Sequence, residues 1–167
     1  MRQAELEEFA EFVAASQRRM VRLADLLTGD RGRAEDLAQE GYAKAYAVWG
    51  RIRAGDPAAY VRRCILNANT DWWRRRTWRE QSHSFVPDLP DRTDMAGDFA
   101  ARHVVLQALA RLTARERTVL ALRFYLDLTE SQIAGELGIA TGTVKSTAAR
   151  ALSKLRADAE LRAEAAS

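Results

Sequence analysis

The sequence predicts an all-α protein made of two small helical domains joined by a flexible linker. Apolar residues recur at helical spacing along most of the 167 residues, whereas the alternation typical of β-strands is almost absent. This pattern fails between residues 81 and 97, where two of the three prolines stand among several aspartates. We therefore expect a first domain over residues 1–80, an acidic linker over 81–97 and a second domain over 98–167.

Composition narrows the class of protein. Apolar residues make up 47% of the chain, which is enough for a buried core in each domain. The net charge of +3 does not by itself indicate nucleic acid, but residues 51–80 hold eight basic and three acidic side chains.

The single cysteine, Cys64, cannot form an internal disulfide, and no stretch approaches the roughly 18 apolar residues of a membrane span. The acidic N-terminus lacks a secretory apolar run, so we expect a soluble cytoplasmic protein that does not bind membranes.

Three helices are predicted in the first domain. The first covers residues 4–28 and ends at the turn-forming "TGDRGR", and the second runs from about Ala34 to Trp49, where "GRIRAGDP" stops it. The third begins near Pro57, since proline suits the first turn of a helix, and continues through the basic segment. Within it, "LNANTD" (66–71) predicts an interruption, because Asn and Asp side chains compete with the helical backbone for hydrogen bonds.

Two helix starts are predicted in the second domain. Thr113 is followed three residues later by Glu116, and Thr129 by Gln132. In this spacing, called a capping box, each side chain bonds the other residue's backbone N–H at a helix N-terminus. The helix beginning after Thr113 can supply part of the core beneath the helix that begins after Thr129.

The segment "LTESQIAGELGIATGTVKSTAARALSKLR" (128–156) predicts a helix-turn-helix. Ala134 is small enough for a close helix crossing, Gly138 can take the positive φ of the turn, and Val144 anchors the second helix. On that helix Val144, Ala148, Leu152 and Leu155 form the predicted inward stripe. A plain αα-hairpin with a solvated face is the alternative.

The outward face of this second helix carries short polar and cationic side chains, which a DNA major groove accepts. Thr141 can also cap the helix. The residues expected to contact DNA are Thr141, Thr143, Lys145, Ser146 and Arg150.

Three segments follow one another along the chain: "AEDLAQEGYAKAYAVW" (34–49), "AAYVRRCILNANTDWWRRR" (58–76) and the helix-turn-helix segment. In this order they resemble the extracytoplasmic function (ECF) sigma factors of bacterial RNA polymerase. The "GTVKST" motif and the Trp-rich first domain look most similar to the SigE-like subgroup of actinobacteria. The resemblance covers residues 8–157 and implies region 2 in the first domain and region 4 in the second.

What the resemblance implies for region 2 is docking on polymerase. "AEDLAQE" looks like the segment that binds the clamp helices of the largest subunit, while region 4 binds the flap. Asp36, Gln39 and Glu40 agree with this, because their i, i+3, i+4 spacing puts an acidic patch on one helix face. An ordinary solvated face is the alternative. The resemblance also implies an anti-sigma factor as a partner. It further implies a linker that passes near the polymerase active centre, with a merely solubilising tether as the alternative.

The resemblance further implies that "CILNANTDWWRRR" opens and reads the minus-ten element. In the family the asparagine aligned with Asn67 belongs to a loop that holds a flipped base, which must offset a few kcal/mol of lost stacking. The arginines would hold phosphates without reading sequence. The residues expected to contact this element are Asn67, Asp71, Trp72, Arg74, Arg75 and Arg76.

Adjacent Trp72 and Trp73 cannot both face one small core, because neighbouring helical residues point about 100° apart. In an unbroken helix the period from Val61 and Ile65 makes Trp72 the inward residue. With the predicted break, and with the family's apolar residue aligned with Trp73, we assign Trp73 to the core and Trp72 to the surface. There Trp72, or Trp78, could stack on unpaired bases, with simple packing as the alternative for each.

This chain departs from the family pattern in two places. Thr147 and Ala148 stand where a basic and a larger apolar residue are common, which predicts a different minus-thirty-five preference. Asn69 stands where the family usually has a small apolar residue.

Three other classes of function are less consistent with the sequence. A purely structural adaptor would leave the outward Lys145 and Arg150 without a role. An enzyme is disfavoured because His83 and His103 lack metal-ligand spacing, Cys64 has no adjacent histidine and no Gly-rich phosphate loop is present. We therefore expect no catalytic residue, metal or cofactor. A conventional helix-turn-helix regulator is the stronger rival, and it should bind its operator without polymerase.

Overall fold

A computed structural model describes residues 3–79 and 96–166, with the side chains of 77–79 and 96–99 outside that description. The described residues form helices and no strand, and the chain divides into two compact units, residues 1–83 and 84–167. The all-α prediction is confirmed. Most of the predicted linker, including Asp88, Asp91 and Asp94, lies outside the described residues, but its last two positions already belong to a helix.

The described residues of the first unit form three long helices and one short one. They are α1 (Gln3–Thr28), α2 (Arg31–Ala47), α3 (Trp49–Ile52) and α4 (Pro57–Arg79). The chain turns between α1 and α2 at Gly29, whose φ of 68° suits a residue without a side chain. Asp30 then caps α2, because its Oδ1 accepts a 2.9 Å hydrogen bond from the backbone N–H of Arg33. The predicted second helix is thus split, with Trp49 beginning a separate turn.

Helix α4 passes through "LNANTD" without a break, so the predicted interruption is wrong. The polar side chains of this segment do not disrupt the helical backbone. Asn67 lies exposed, Asn69 bonds a side chain of α2, and the Thr70 hydroxyl donates to the Leu66 carbonyl one turn earlier at 2.9 Å. Local propensity therefore gives way to a contact from another helix.

Helix α2 packs against both α1 and α4. Leu23 and Leu27 of α1 and Val61 and Ile65 of α4 are almost fully buried at these contacts. The α2–α4 crossing is close at Gly41, where an added Cβ would lie 3.2 Å from a methyl carbon of Val61. The relative position of α2 and α4 is therefore tightly constrained, which matters because both carry predicted site residues.

The second unit contains α5 (Ala96–Leu109), α6 (Ala114–Leu120), α7 (Glu130–Leu137) and α8 (Thr141–Ala165). A π-helical turn over Ala121–Tyr125 continues α6. Both predicted capping boxes are present, with each pair of reciprocal side chain to backbone bonds formed. Gly138 ends α7 with φ 63°, as the predicted turn requires. Thr141 does not cap α8, because Ala140 takes the cap position and Thr141 is the first helical residue.

A buried carboxylate joins α6 to α8. Glu116 is 5% exposed; its two carboxylate oxygens accept bonds of 3.0 and 2.9 Å from Lys154 Nζ, and Oε2 also accepts the backbone N–H of Thr113 at 2.9 Å. Burial alone would raise the pKa of Glu116, but the bonds from Lys154 and Thr113 outweigh it and hold the pKa below its ordinary value of 4.5. Folding therefore gains stability from the ionised carboxylate above that ordinary pKa.

We expect Glu116→Gln to lower the free energy of unfolding of the second unit by about 1–2 kcal/mol at pH 7, since a charge-assisted bond is lost. The difference should shrink as the pH falls through the lowered pKa, where the wild-type carboxyl becomes neutral. All four tryptophans lie in the first unit, so helical circular dichroism with unchanged tryptophan emission isolates the second. A difference in the free energy of unfolding that stays the same from pH 7 to the lowest pH at which the protein folds would contradict an ionised, hydrogen-bonded Glu116.

Candidate functional site

An open groove of about 660 Å³ runs between α2 and α4 of the first unit. From α2 it is lined by Asp36 and Glu40, and from α4 by Asn67, Asp71 and Arg75. The structure thus brings together residues predicted to bind polymerase and residues predicted to bind the minus-ten element. Since α2 and α4 are packed closely, the two sets have a fixed geometry relative to each other.

The predicted polymerase-facing residues lie on the exposed face of α2. Asp36, Gln39 and Glu40 are all exposed, while Leu37 and Ala45 are buried on the other side of the helix. The carboxylate of Glu40 accepts a 2.6 Å bond from Lys44 one turn later. Glu40 is thus partly neutralised within its own helix, which lowers the net negative charge of the predicted acidic, hydrogen-bonding patch.

Four of the predicted minus-ten residues are exposed on α4: Asn67, Asp71, Arg74 and Arg75. Asp71 organises the other charges, since its carboxylate lies 3.8 Å from Arg74 and its backbone carbonyl accepts a 3.3 Å bond from Arg75 Nε. These are surface contacts that contribute little stability. The arginines therefore remain available to a polyanion.

The predicted division of the tryptophans is wrong. Trp72 and Trp73 are both partly buried, and their rings meet edge to face with centroids 4.9 Å apart. Because α4 is unbroken, Trp72 follows the stripe of Val61 and Ile65, but its side chain is only partly buried and lines the α2–α4 groove. The side chain of Trp78 lies outside the described residues.

Two guanidinium groups lie on the ring of Trp72. The Cζ atom of Arg33 is 3.3 Å from the ring centroid and that of Arg76 is 4.5 Å away. Arg33 Nη2 also donates a 2.8 Å bond to Oδ1 of Asn69, which is 4% exposed. Burial lowers the pKa of Arg33 to about 10, so the group stays charged at neutral pH. Stacking of a base on the face that Arg33 occupies would require that guanidinium to move.

Arg33 is a residue that sequence reasoning missed. Its partners Asn69 and Trp72 lie 36 and 39 positions further along the chain, and nothing in their spacing predicts a contact. Asn69 gave a partial signal, because a polar residue on the stripe of Val61 and Ile65 needs a buried partner.

The predicted outward face of α8 is confirmed for most of its members. Thr141, Lys145, Ser146 and Arg150 are exposed, and Thr143 is partly buried. The hydroxyl of Ser146 donates to the Thr143 carbonyl at 3.2 Å, so Ser146 is held toward its own helix.

The inward side of α8 differs slightly from the predicted stripe. Val144 and Ala148 are buried as expected, but Leu152 and Leu155 are only partly buried. Ala151 and Thr147 are buried instead; Thr147 is 1% exposed, and its hydroxyl accepts a 3.5 Å contact from Arg150 Nη2. At this position the chain therefore supplies a core side chain that orients Arg150.

Within residues 3–79 and 96–166 no group of three or more His, Cys, Asp or Glu side chains could hold a metal ion. Burial raises the pKa of the Cys64 thiol, which disfavours the nucleophilic thiolate. Of the two histidines, His103 bonds Gln107 at 2.8 Å and His83 lies outside the described residues. The helices in these same ranges include none long and apolar enough to cross a membrane.

Comparison with known proteins matches both units. The Sigma-70 region 2 family model matches residues 12–79, and the Sigma-70, region 4 model matches residues 108–157. The RNA polymerase sigma-E factor of Streptomyces antibioticus is 36% identical over 97% of this chain and 90% of its own length. The chain belongs to the ECF sigma factors.

One further relative and two solved structures are also similar to this chain. The ECF RNA polymerase sigma factor SigL of Mycobacterium tuberculosis is 35% identical over 81% of this sigma factor and 79% of its own length. The sigma factor RpoE of Bartonella quintana, solved with the anti-sigma factor NepR, has a TM-score of 0.73 at 22% identity, covering 90% of this chain and 95% of its own. CnrH, solved with the cytosolic domain of CnrY, has a TM-score of 0.66 at 20% identity, covering 92% and 88%.

The predicted family resemblance is therefore confirmed. This sigma factor directs promoter-specific initiation by RNA polymerase, and the conventional regulator is not supported. The roles of its individual residues follow as proposals.

Proposed function

We propose that the two units of this sigma factor recognise separate promoter elements while the first also holds core polymerase. Asp36, Gln39 and Glu40 bind the clamp helices, and the exposed groups of α4, with Asn67 foremost, open and hold the minus-ten element. The outward face of α8 reads the minus-thirty-five element, and the second unit contacts the flap. Polymerase supplies the catalysis, so the sigma factor itself needs no catalytic residue, metal or cofactor. Since its partners are polymerase and promoter DNA, we infer that it acts in the cytoplasm.

The observation that supports this division most directly is the shared α2–α4 groove. Asp36 and Glu40 on one wall lie opposite Asn67 and Asp71 on the other. Because the walls are packed together at Gly41, docking of α2 on polymerase also sets the position of α4. DNA opening can thus be directed to one place relative to the enzyme.

Exposure on α8 supports the upstream role of the second unit. Lys145, Ser146 and Arg150 point away from the core, and the hydroxyl of Thr147 contacts the Arg150 guanidinium. An arginine held in this way suits a guanine edge or a phosphate in the major groove.

We also infer an anti-sigma factor as a partner. The sigma factor RpoE of Bartonella quintana, which shares this fold, was solved with the anti-sigma factor NepR bound. The exposed acidic face of α2 is a surface that such a partner could cover, which would keep the sigma factor from polymerase.

Reconstituted transcription tests the division of labour. Core polymerase from Streptomyces, the source of a 36% identical relative, would be combined with this chain and a promoter selected with the wild-type protein. We expect Asn67→Ala to slow opening of duplex promoter about tenfold, and Arg150→Ala to weaken minus-thirty-five recognition by a similar factor.

Arg156→Ala is the control, since Arg156 is exposed on the same helix beyond the predicted recognition residues. The proposal fails if Asn67→Ala changes only upstream recognition, or Arg150→Ala only opening. Wild-type protein that bound a palindrome alone and initiated nowhere with core would instead indicate a regulator.

A further inference from the structure

We propose that Arg33 is a positioning residue that couples the polymerase-docked helix α2 to the DNA-opening helix α4. This inference rests on the proposed function of those two helices. It assigns a role to a residue outside both sets of predicted contacts.

Arg33 is held by contacts of its backbone in α2 and of its side chain on α4. Its backbone N–H donates to Asp30 Oδ1 at the start of α2, and its guanidinium reaches α4 to bond Asn69 at 2.8 Å. The same planar group lies on the ring of Trp72, with Cζ 3.3 Å from the centroid. One side chain thus joins the first turn of α2 to two positions one turn apart on α4.

The chemistry of these contacts needs arginine in particular. Guanidinium is flat and offers several donors, so it can bond an amide oxygen at its edge and cover an indole with its face. A lysine ammonium is a compact point charge and cannot do both. Asn69 is buried, so loss of its donor would leave a buried amide oxygen unsatisfied.

The contacts of Arg33 with Asn69 and Trp72 link α2 to α4, and the place of this link along both helices gives it a functional consequence. Arg33 lies one turn before Asp36, and Trp72 lies just before Arg74 and Arg75. Arg76 also lies on the Trp72 ring, so the basic end of α4 is packed against the same group. The link therefore fixes where the arginines stand relative to the face that docks on polymerase.

A direct phosphate contact is the competing role, because Arg33 and Arg76 place two positive charges on one indole. The structure disfavours it, since the Arg33 guanidinium is half-buried and already engaged by Asn69 and Trp72. The two roles predict different results for a lysine substitution and for salt.

The test compares Arg33→Ala and Arg33→Lys with Arg31→Ala, which removes an equal charge two residues earlier from an exposed pair with Glu35. The rate of forming an initiation-competent complex with core polymerase would be measured on a duplex promoter, where it includes opening, and on the same promoter already melted at the minus-ten element. We expect both Arg33 variants to open duplex about tenfold more slowly, and to match wild type within about twofold on pre-melted DNA. Arg31→Ala should match wild type on both.

Asn69→Ala is the second variant, and it should reproduce the opening defect without removing any charge. If Arg33→Ala fails to fold by circular dichroism, Arg33→Lys and Asn69→Ala decide the outcome. The proposal is overturned if Arg33→Lys opens duplex at the wild-type rate, or if Arg33→Ala lowers the salt slope of promoter binding by about 0.7–0.9, as loss of a phosphate contact would. Wild-type protein that does not initiate with core refutes the proposed function instead.

Discussion

Changing Asp36 and Glu40 together to lysine is expected to weaken binding of the sigma factor to core polymerase about a hundredfold. Both carboxylates are exposed on α2, so we expect the clamp surface that binds them to be basic. Reversal would set like charges against each other, which costs several kcal/mol in an interface. It would also place a second ammonium beside Lys44, which now bonds Glu40 at 2.6 Å.

Changing Glu7 and Glu11 together to lysine provides the matched control. Both are exposed on α1 at the same i, i+4 spacing, and they lie outside the docking segment 34–40 and outside the α2–α4 groove. Fluorescence anisotropy of labelled sigma factor titrated with core polymerase measures the affinity, and circular dichroism checks the fold. If the control weakened binding to core polymerase as much as the Asp36 and Glu40 variant, the loss of affinity would reflect the change in net charge. The docking face would then lie elsewhere.

Patterns among residues close together in the sequence were sufficient to predict most of the structure of the second unit. The capping boxes at Thr113 and Thr129 and the positive φ of Gly138 were all predicted and are all present. Each involves residues within four positions of one another, so short-range chemistry determines them. The buried Val144 and exposed Lys145 follow from helical period in the same way.

The errors in the first unit arose where distant residues decide the structure. Asn67 and Asn69 predicted a break in α4 from their local preferences, but Asn69 finds its partner in Arg33 of another helix. With the helix unbroken, Trp72 and Trp73 are both partly buried, so the predicted division between surface and core is not found. A contact across 36 positions leaves no periodic trace in a single sequence, so the bond between Arg33 and Asn69 could only be found in the structure.

Thr141 and Thr147 are two positions on α8 where the sequence pattern alone did not predict the local structure. A threonine beside a turn is a good helix cap, yet the backbone enters α8 one residue earlier and leaves Thr141 in the first turn. Thr147 is polar but lies in the core, since the buried side of α8 is centred on Ala148 and Ala151 as well as Val144. Binary patterning locates a face to within about one residue, and these two positions lie at its margin.

Arg117→Ala is expected to lower the free energy of unfolding of the second unit by about 3 kcal/mol. Arg117 is 3% exposed, and its Nη1 donates to the carbonyl of Leu112 at 2.6 Å and to that of Leu109 at 3.4 Å. Those carbonyls lie at and just beyond the end of α5, and the Leu109 carbonyl also accepts the backbone N–H of Leu112 at 3.1 Å. Burial lowers the pKa of Arg117 to about 10, so at neutral pH a charged group makes these bonds.

The measurement exploits the absence of tryptophan from residues 84–167. Urea unfolding followed at 222 nm should show part of the helical signal lost at lower urea, while the tryptophan transition of the first unit stays in place. Arg115→Ala is the control, because Arg115 is exposed two residues away on α6. At 37 °C the Arg117 variant should also lose minus-thirty-five recognition, since a unit of this size has only a few kcal/mol to spare. Equal stability of the two variants would show that the buried guanidinium contributes nothing net, its bonds being offset by the cost of desolvating a charge.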